Sequence, residues 1–315
     1  MRAVVQRELG GPEVLVLDEV PRPVPVPTEV LVRVRAAGIN PVDWKTRTGG
    51  GMAGVLGAPP FTLGWDVSGV VEEVGYGVTT LAPGDEVFGM PWFPRAASAY
   101  AEYVTAPARQ FARKPASISH EEAAALPLAA LTAWQALTAA ARVEKGQRVL
   151  VHAAAGGVGH LAVQFAKHLG AHVIGTASAA KHDWLRELGA DEVIDYRSTR
   201  FEDVTGDVDV VLDALGEHDD TALRSVGVLK PGGVMVCFSG FPPHAAAAAT
   251  DAGVRLTPFL VEPDGAALAT IAGLVEAGEV TVRVDEVFPL DQVAQAHATS
   301  EANATSGKLV LRVAG

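Results

Sequence analysis

A chain of 315 residues, 49% hydrophobic and 20% charged, is long enough for two ordinary domains with real cores, and its composition is globular. A net charge of −12 with no basic tract argues against nucleic acid and anionic membrane as partners, and no run of about 18 apolar residues is present to span a bilayer. The single cysteine, Cys237, rules out an internal disulfide and a cysteine-rich zinc cluster, so a reducing cytoplasm is the default location.

The N-terminal stretch reads as a strand and lacks the apolar core of a signal peptide. Alternating segments recur through residue 118: AVVQ, VLVLDEV, EVLVRVRAAGI, VSGVVEEVG, DEVFGM and AEYVTAP, with turn signals such as Gly11-Pro12 and Pro83-Gly84 between them. This predicts a small, mostly antiparallel β domain, with Pro21, Pro23, Pro25 and Pro27 as an extended spacer. Two polar clusters interrupt its apolar strands, Asn40 to Lys45 and Gly64 to Gly69. Turn chemistry is their plain explanation. Residues 121–141 have helical spacing with Ser119 as a cap, and Pro127 predicts two helices or a kink.

From residue 147 the pattern changes. Strands are predicted at 148–152, 171–176, 191–195, 208–213 and 234–238, with helices at 160–169, 181–188, near 200–204 and at 219–228. Such alternation marks a doubly wound parallel sheet. Residues 241–250 are a loop or short helix, and 254–260 a further strand with the character of an exposed edge. A helix at 264–277, a strand and helix over 285–300 and a strand at 308–313 follow the sheet's end and are candidates to return to the β domain.

The stretch 147–170, QRVLVHAAAGGVGHLAVQFAKHLG, reads as strand, glycine turn and amphipathic helix. A helix start of this kind directs free N–H groups and its positive dipole end at an anion, and a dinucleotide pyrophosphate is the natural guest. Gly156, Gly157 and Gly159 allow the close approach; Ala154 holds the first glycine position of the usual fingerprint, and a following strand completes the βαβ unit. NAD sites carry an acid about 20 residues on, for the ribose 2′-OH. Here the second strand ends in Gly175-Thr176-Ala177-Ser178 and Lys181 follows. A hydroxyl and a cation suit a 2′-phosphate, which favours NADPH. Ser178 also suits an ordinary N-cap. The nine histidines are scattered and read as surface or satisfied core groups, and Cys237 reads as a small buried hydrophobe in a strand.

Four motifs, AAGINPVDWK, GWDVSGVVEEVG with GDEVFG, AAAGGVGHLAVQFAK with GADEVIDY, and the terminal SGKLVL, give the chain a family likeness over essentially its whole length. It resembles the medium-chain dehydrogenase/reductase superfamily, in the zinc-free quinone oxidoreductase and enoyl reductase-like branch. The resemblance implies a Rossmann doubly wound parallel sheet (119–262) set in a mostly antiparallel GroES-like β domain (1–118 and 263–315), a cleft between them for nicotinamide and substrate, and a homodimer. It implies NADPH, with Ala155, Gly156, Gly157, Val158 and Gly159 at the pyrophosphate and Ser178, Lys181 and Tyr196 around the 2′-phosphate. Thr132, Phe238 and Ser239 would line the nicotinamide end, Asn40 would lie near its carboxamide or the substrate, and Lys308 would close the cofactor site.

Zinc relatives place a Cys and a GHE-type His around a catalytic metal; here those positions read Asn40 and Gly64-Trp65-Asp66, so no metal is expected. Related enoyl reductases often carry a tyrosine just after the NxxD segment, where this chain has Thr48-Gly49-Gly50-Gly51-Met52. The proton donor is left between water and a Lys45–Asp43 pair, with Tyr100 and Tyr103 read as packing groups. The expected reaction is hydride transfer from NADPH to a quinone or to the activated C=C of an enone. The alternatives are a zinc-free carbonyl reductase and a non-catalytic NADPH-binding sensor.

Overall fold

A computed structural model describes residues 1–216 and 220–313; among the histidines, His218 lies outside the described residues. Contacts divide the chain into two units, Met1–Leu131 with Glu262–Gly315, and Thr132–Val261.

The first unit opens with β1 (Arg2–Gln6) paired antiparallel with β2 (Leu15–Glu19). The buried strand β3 (Glu29–Ile39) follows, then the helices α1 (Pro41–Arg47) and α2 (Ala53–Leu56). Next come β4 (Asp66–Val74), β5 (Glu86–Gly89), β6 (Tyr103–Pro107) and β7 (Phe111–Arg113), then α3 (His120–Ala124) and α4 (Pro127–Gln135). Ser119 caps α3 in a reciprocal box: Glu122 N donates to Ser119 Oγ at 3.2 Å, and Ser119 N donates to Glu122 Oε2 at 2.8 Å. Pro127 starts α4 instead of kinking a longer helix, as a proline tolerates the first turn. A π-helical turn over Ala136–Ala141 then ends at Arg142, which is left-handed with φ 55°.

The second unit takes up the βαβ alternation: β8 (Arg148–Val151), α5 (Gly159–His168), β9 (His172–Ala177), α6 (His182–Glu187), β10 (Glu192–Asp195), β11 (Val208–Asp213), α7 (Thr221–Val226), β12 (Leu229–Cys237), α8 (Pro243–Ala252) and β13 (Arg255–Pro258). All of its strand pairs are parallel, in the order β10-β9-β8-β11-β12-β13. The order reverses between β8 and β11, which is where open α/β sheets bind ligands. Its core gathers Leu150, Ile174, Val211 and Met235 from the central strands with Ala222 and Val226 of α7.

The chain then returns to the first unit with α9 (Gly265–Glu276), β14 (Val284–Pro289), α10 (Val293–Glu301) and β15 (Lys308–Arg312). The first unit's sheet runs β14-β15-β3-β4-β5-β7, with β6 also on β3; only β14–β15 is parallel. Strand β15 lies antiparallel on β3, Leu309 opposite Ile39, so the tail completes this sheet.

Several local expectations change. Residues 41–47 form a helix rather than a turn, and Asp66 begins a buried strand. Strand β12 begins at Leu229, ahead of the strand expected at 234–238, and its register against β11 shifts between Val208 and Val210. Residues 243–252 make a full helix, started by Pro243 in its first turn. By contacts the division falls at Leu131/Thr132, and Ala124 and Ala125 share a buried cluster with Ala36 and Val310.

Gly38 is required by close approach: a Cβ there would stand 2.8 Å from Asp66 Oδ2 and clash with the Ala124 carbonyl. Gly38→Ala is expected to cost about 1–3 kcal/mol of stability by overpacking, read as a lowered urea midpoint with unchanged m-value.

Candidate active site

In the second unit the glycine turn has the geometry of an anion cradle. Ala154 N donates to Thr176 O at 3.0 Å and Gly156 N to Ala153 O at 2.8 Å, which folds the chain back between β8 and α5. His160 Nδ1, facing the Gly156 carbonyl at 2.9 Å, donates to it and tethers the turn from the helix side. A Cβ on Gly159 would lie 2.7 Å from Ala154 Cα, so this glycine lets helix and strand approach. Gly175 does the same from β9, where a Cβ would stand 2.9 Å from the Ala154 methyl. Gly175 is a part of the cradle that sequence reading left in the strand. Ala155 is buried, while Gly156, Gly157 and Val158 are half-buried at the mouth of the turn.

The C-terminal edge of the same sheet brings Ser178, Lys181 and Tyr196 together. Ala177 at the end of β9 is in register with Asp195 at the end of β10, so Ser178 and Tyr196 leave adjacent strands side by side. Lys181 N donates to Ser178 O at 2.9 Å in a single 3₁₀ turn. Tyr196 is 58% exposed, too open for a packing aromatic. Arg197, which sequence reading missed, holds its guanidinium 5.8 Å from the Tyr196 ring and adds a second cation beside it. The residues present therefore fit a 2′-phosphorylated dinucleotide: a glycine cradle that side chains would fill, then a hydroxyl, a ring and cations at the next strand ends.

Across the switch point, Asp213 ends β11. Its Oδ1 accepts from Leu215 N at 2.9 Å and Gly216 N at 3.3 Å, and its buried Oδ2 has no hydrogen-bond partner. Burial raises its carboxyl pKa and, with Asp213 opposite, pushes the Cys237 thiol up to about 12; Cys237 is a buried, inert thiol. Phe238 is half-buried, with its ring edge-on to Phe259 at 5.9 Å, Ser239 is exposed, and Thr132 is buried in α4.

The first unit holds a different kind of site. Asn40, the N-cap of α1, is buried with Asp66 and Lys308. Asn40 Nδ2 donates to Asp66 Oδ2 at 2.8 Å, and Lys308 Nζ donates to Asn40 Oδ1 and, at 2.9 Å, to Ile39 O. Leu128 N donates to Asp66 Oδ1 at 2.7 Å, and Lys308 Nζ lies 3.5 Å from Asp66 Oδ2. Burial raises the Asp66 carboxyl and lowers the Lys308 ammonium, and each counters the other's shift by attraction. Lys308 therefore does not close a cofactor site: its donors are committed inside its own unit. Asn40 Oδ1, Ile39 O and the Asp66 carboxylate surround the ammonium, which is the pairing a buried charge requires.

Asp43 is fully buried, and its Oδ2 accepts from Asn40 N at 2.7 Å. Desolvation raises its pKa to about 7, with the Asn40 N–H opposing and Asp66 adding to the rise. The expected Lys45–Asp43 pair is not made. The two are i, i+2 on a helix and face apart; Lys45 is exposed, its ammonium 5.6 Å from the Trp44 ring. Beside Asp43, a chain of buried polar side chains runs to α10. Arg47 Nη1 lies 3.2 Å from His297 Nδ1, and His297 Nε2 lies 3.4 Å from Tyr100 Oη. An arginine only donates, so Nδ1 accepts and the ring proton sits on Nε2. Burial and the nearby Asp43 carboxyl push the Tyr100 hydroxyl pKa up, while Asp43 Oδ1 is buried without a hydrogen-bond partner. Arg47 also bonds Glu301 and, at 3.0 Å, Gly10 O. Among the described residues no three His, Cys, Asp or Glu side chains gather to hold a metal. Trp65 fills the core, donating its indole N–H to Arg95 O at 2.7 Å.

The alcohol dehydrogenase GroES-like domain family matches residues 26–116, and the zinc-binding dehydrogenase family matches residues 188–311. An NADPH-dependent alkenal/one oxidoreductase of Arabidopsis thaliana, chloroplastic, is 37% identical, covering 99% of this chain and 79% of that protein. The structure of a quinone oxidoreductase from Coxiella burnetii superposes with a TM-score of 0.92 at 36% identity, covering 100% of this chain and 99% of that one. An Escherichia coli quinone oxidoreductase complexed with NADPH gives a TM-score of 0.88 at 30% identity, covering 99% of this chain and 100% of that one. The chain belongs to the medium-chain dehydrogenase/reductase superfamily, in its zinc-free quinone oxidoreductase branch.

The buried titratable groups set an acid limit on stability. His152, held between Ser225 Oγ at 2.9 Å and Thr176 Oγ1 at 3.3 Å, and His297 are each lowered by burial from 6.5 to about 3. The unfolded chain takes these protons first, so the histidine contribution is complete above pH 6.5 and is lost as pH falls toward about 3. Asp43 has the opposite sign: its contribution is complete below pH 3.8 and is lost as pH rises through about 7. From pH 6.5 down to pH 4.5 the slope of the denaturant midpoint sets the loss from His152 and His297 against the gain from the raised carboxyls of Asp43, Asp66 and Asp213. His152→Asn should reduce that slope by up to about 1.4 kcal/mol per pH unit. A slope equal to that of the wild type would show that His152 is already protonated in the native state.

Proposed function

We propose that the protein is an NADPH-dependent oxidoreductase that transfers hydride to a quinone or to the activated C=C of an α,β-unsaturated carbonyl, without zinc. The observation that carries this reading is the grouping of Ser178, Lys181 and Tyr196 at the ends of β9 and β10, beside a glycine cradle and with no acid at the end of β9. The similarity to an NADPH-dependent alkenal/one oxidoreductase and to NADPH-bound quinone oxidoreductase supports the acceptor class.

Bound NADPH supplies the hydride chemistry; the protein supplies position and charge. The turn from Ala155 to Gly159 takes the pyrophosphate, and Ser178, Lys181 and Tyr196, with Arg197, take the 2′-phosphate. Thr132, Phe238 and Ser239 line the nicotinamide end. As hydride arrives, negative charge grows on the enolate or quinol oxygen, where a donor held in place beforehand is worth most. Asn40 is that donor, because its carboxamide is already fixed by Asp66 and Lys308. The proton comes from water, since Asp43 is sealed in the core and Lys45 faces out. We also propose a cytoplasmic homodimer. Its support is the single buried thiol and β13, which ends the six-stranded sheet and pairs only with β12 among the described residues. Light scattering giving the mass of one chain would remove the dimer.

The test is loss of the reduced-nicotinamide absorbance with a quinone, an alkenal, a cyclic enone and a saturated ketone, with chelator present and NADH run in parallel. Turnover with quinone or enone and NADPH, unaffected by chelator, is expected. An enone should give the saturated ketone; an allylic alcohol would instead mark a carbonyl reductase. Lys181→Ala should raise the KM for NADPH about tenfold or more while leaving that for NADH nearly unchanged, as expected for loss of one charge-assisted contact. Equal effects on both cofactors would move the 2′-phosphate away from Lys181.

A further inference from the structure

Residues 40 and 43 have the arrangement of a helix capping box. Its Asp43 half is a hydrogen bond, from Asn40 N to Asp43 Oδ2 at 2.7 Å. Its Asn40 half is not: the Asn40 side chain makes no capping hydrogen bond, and its oxygen accepts from Lys308 instead. An asparagine cap stabilises a helix by about 1 kcal/mol. Here that side chain is drawn off into an ion pair delivered by β4 and β15, from positions 26 and 268 residues away in sequence.

The two ions decide which way the carboxamide points. An ammonium only donates and a carboxylate only accepts. Asn40 Oδ1 must therefore face Lys308 and Nδ2 must face Asp66, as observed. The flipped amide would set its oxygen against a carboxylate and its NH₂ against an ammonium, two repulsive contacts in a buried site. Each partner is itself held: Asp66 by Leu128 N at 2.7 Å, Lys308 by Ile39 O at 2.9 Å. The amide keeps one N–H and one lone pair beyond these bonds.

We infer that Lys308 and Asp66 are positioning residues, which fix the flip of the Asn40 carboxamide and with it the direction of its second N–H. The inference rests on the reductase reading above. Neither residue touches the reacting atoms; both act through Asn40.

The test compares Lys308→Met, Asp66→Asn, Asn40→Ala and the double variant Asn40→Ala/Lys308→Met. Kinetics on an enone and NADPH affinity by fluorescence titration are read beside the side-chain amide resonances of Asn40 in ¹⁵N-labelled protein. Lys308→Met is expected to lower kcat about tenfold or more, the scale of losing a preorganised donor. Its NADPH dissociation constant should stay within about twofold, because the loss lies in the transition state. The double variant should be no slower than Asn40→Ala alone, since residues acting through one group are not additive. Asp66→Asn keeps the shape of the site and should shift the same amide resonances, so it carries the test if Lys308→Met does not fold. The inference is overturned if Lys308→Met slows Asn40→Ala further by the full factor, if it abolishes NADPH binding, or if both single variants keep the wild-type amide resonances. A wild type inactive on every acceptor would sink the reductase reading, while the amide resonances would still decide this one.

Discussion

The ion pair between Asp66 and Lys308 is the constraint on which the first unit depends. Two opposite charges out of water cost several kcal/mol each unless they are close and fully hydrogen-bonded. This pair meets that condition only if four pieces of chain arrive together: β4 with Asp66, β15 with Lys308, the end of β3 with Ile39 and Asn40, and the start of α4 with the Leu128 amide. A buried pair of this kind is a weak source of net stability. Its effect is on specificity, because a misplaced strand would strand a charge in the core. It also explains why the last strand of the chain belongs with the first sheet: β15 carries the only counter-charge that bonds directly to Asp66 among the described residues.

A second buried array grows from the same corner. The run Arg47, His297 and Tyr100 joins α1 to α10 beside the buried Asp43 carboxyl. Arginine cannot release a proton at any ordinary pH, so this is an orienting chain and not a proton wire. Glu301 closes it at the partly exposed end through its ion pair with the buried Arg47. Asn40 before α1 and Arg47 at its end are thereby tied to β15 and α10, both near the C-terminal end of the chain.

The second unit reaches its chemistry by sterics instead of charge. Gly159 and Gly175 matter for what they lack, since a methyl on either would push α5 or β9 off Ala154 and open the turn. The cations and hydroxyl suited to a phosphate, Lys181, Arg197 and Ser178, follow the strand ends, where a parallel sheet leaves room for a ligand. In one chain, then, glycines shape a cradle for phosphate in one unit, and a buried ion pair holds an amide in a single orientation in the other.

Much of this is local and so was legible in the residues alone. The βαβ alternation, the glycine turn, the missing acid at the end of β9 and the Ser178–Lys181–Tyr196 group all depend on contacts within one or two neighbouring strands. The family motifs carried the two-part architecture as well. What sequence alone missed is long-range. Asn40 to Lys45 looked like turn chemistry because nothing nearby announces a helix whose cap is diverted to Lys308. Lys308 looked like a cofactor ligand, and Lys45 like a partner for Asp43, because sequence spacing cannot say which side chains are sealed in and which face water. His297 sat among nine scattered histidines until folding set it against Arg47, 250 residues away. The sequence determined the elements, the glycine turn and the family, because periodicity and turn residues act over a few positions. Tertiary structure alone decided which polar groups are buried together, because that depends on strands brought side by side from opposite ends of the chain.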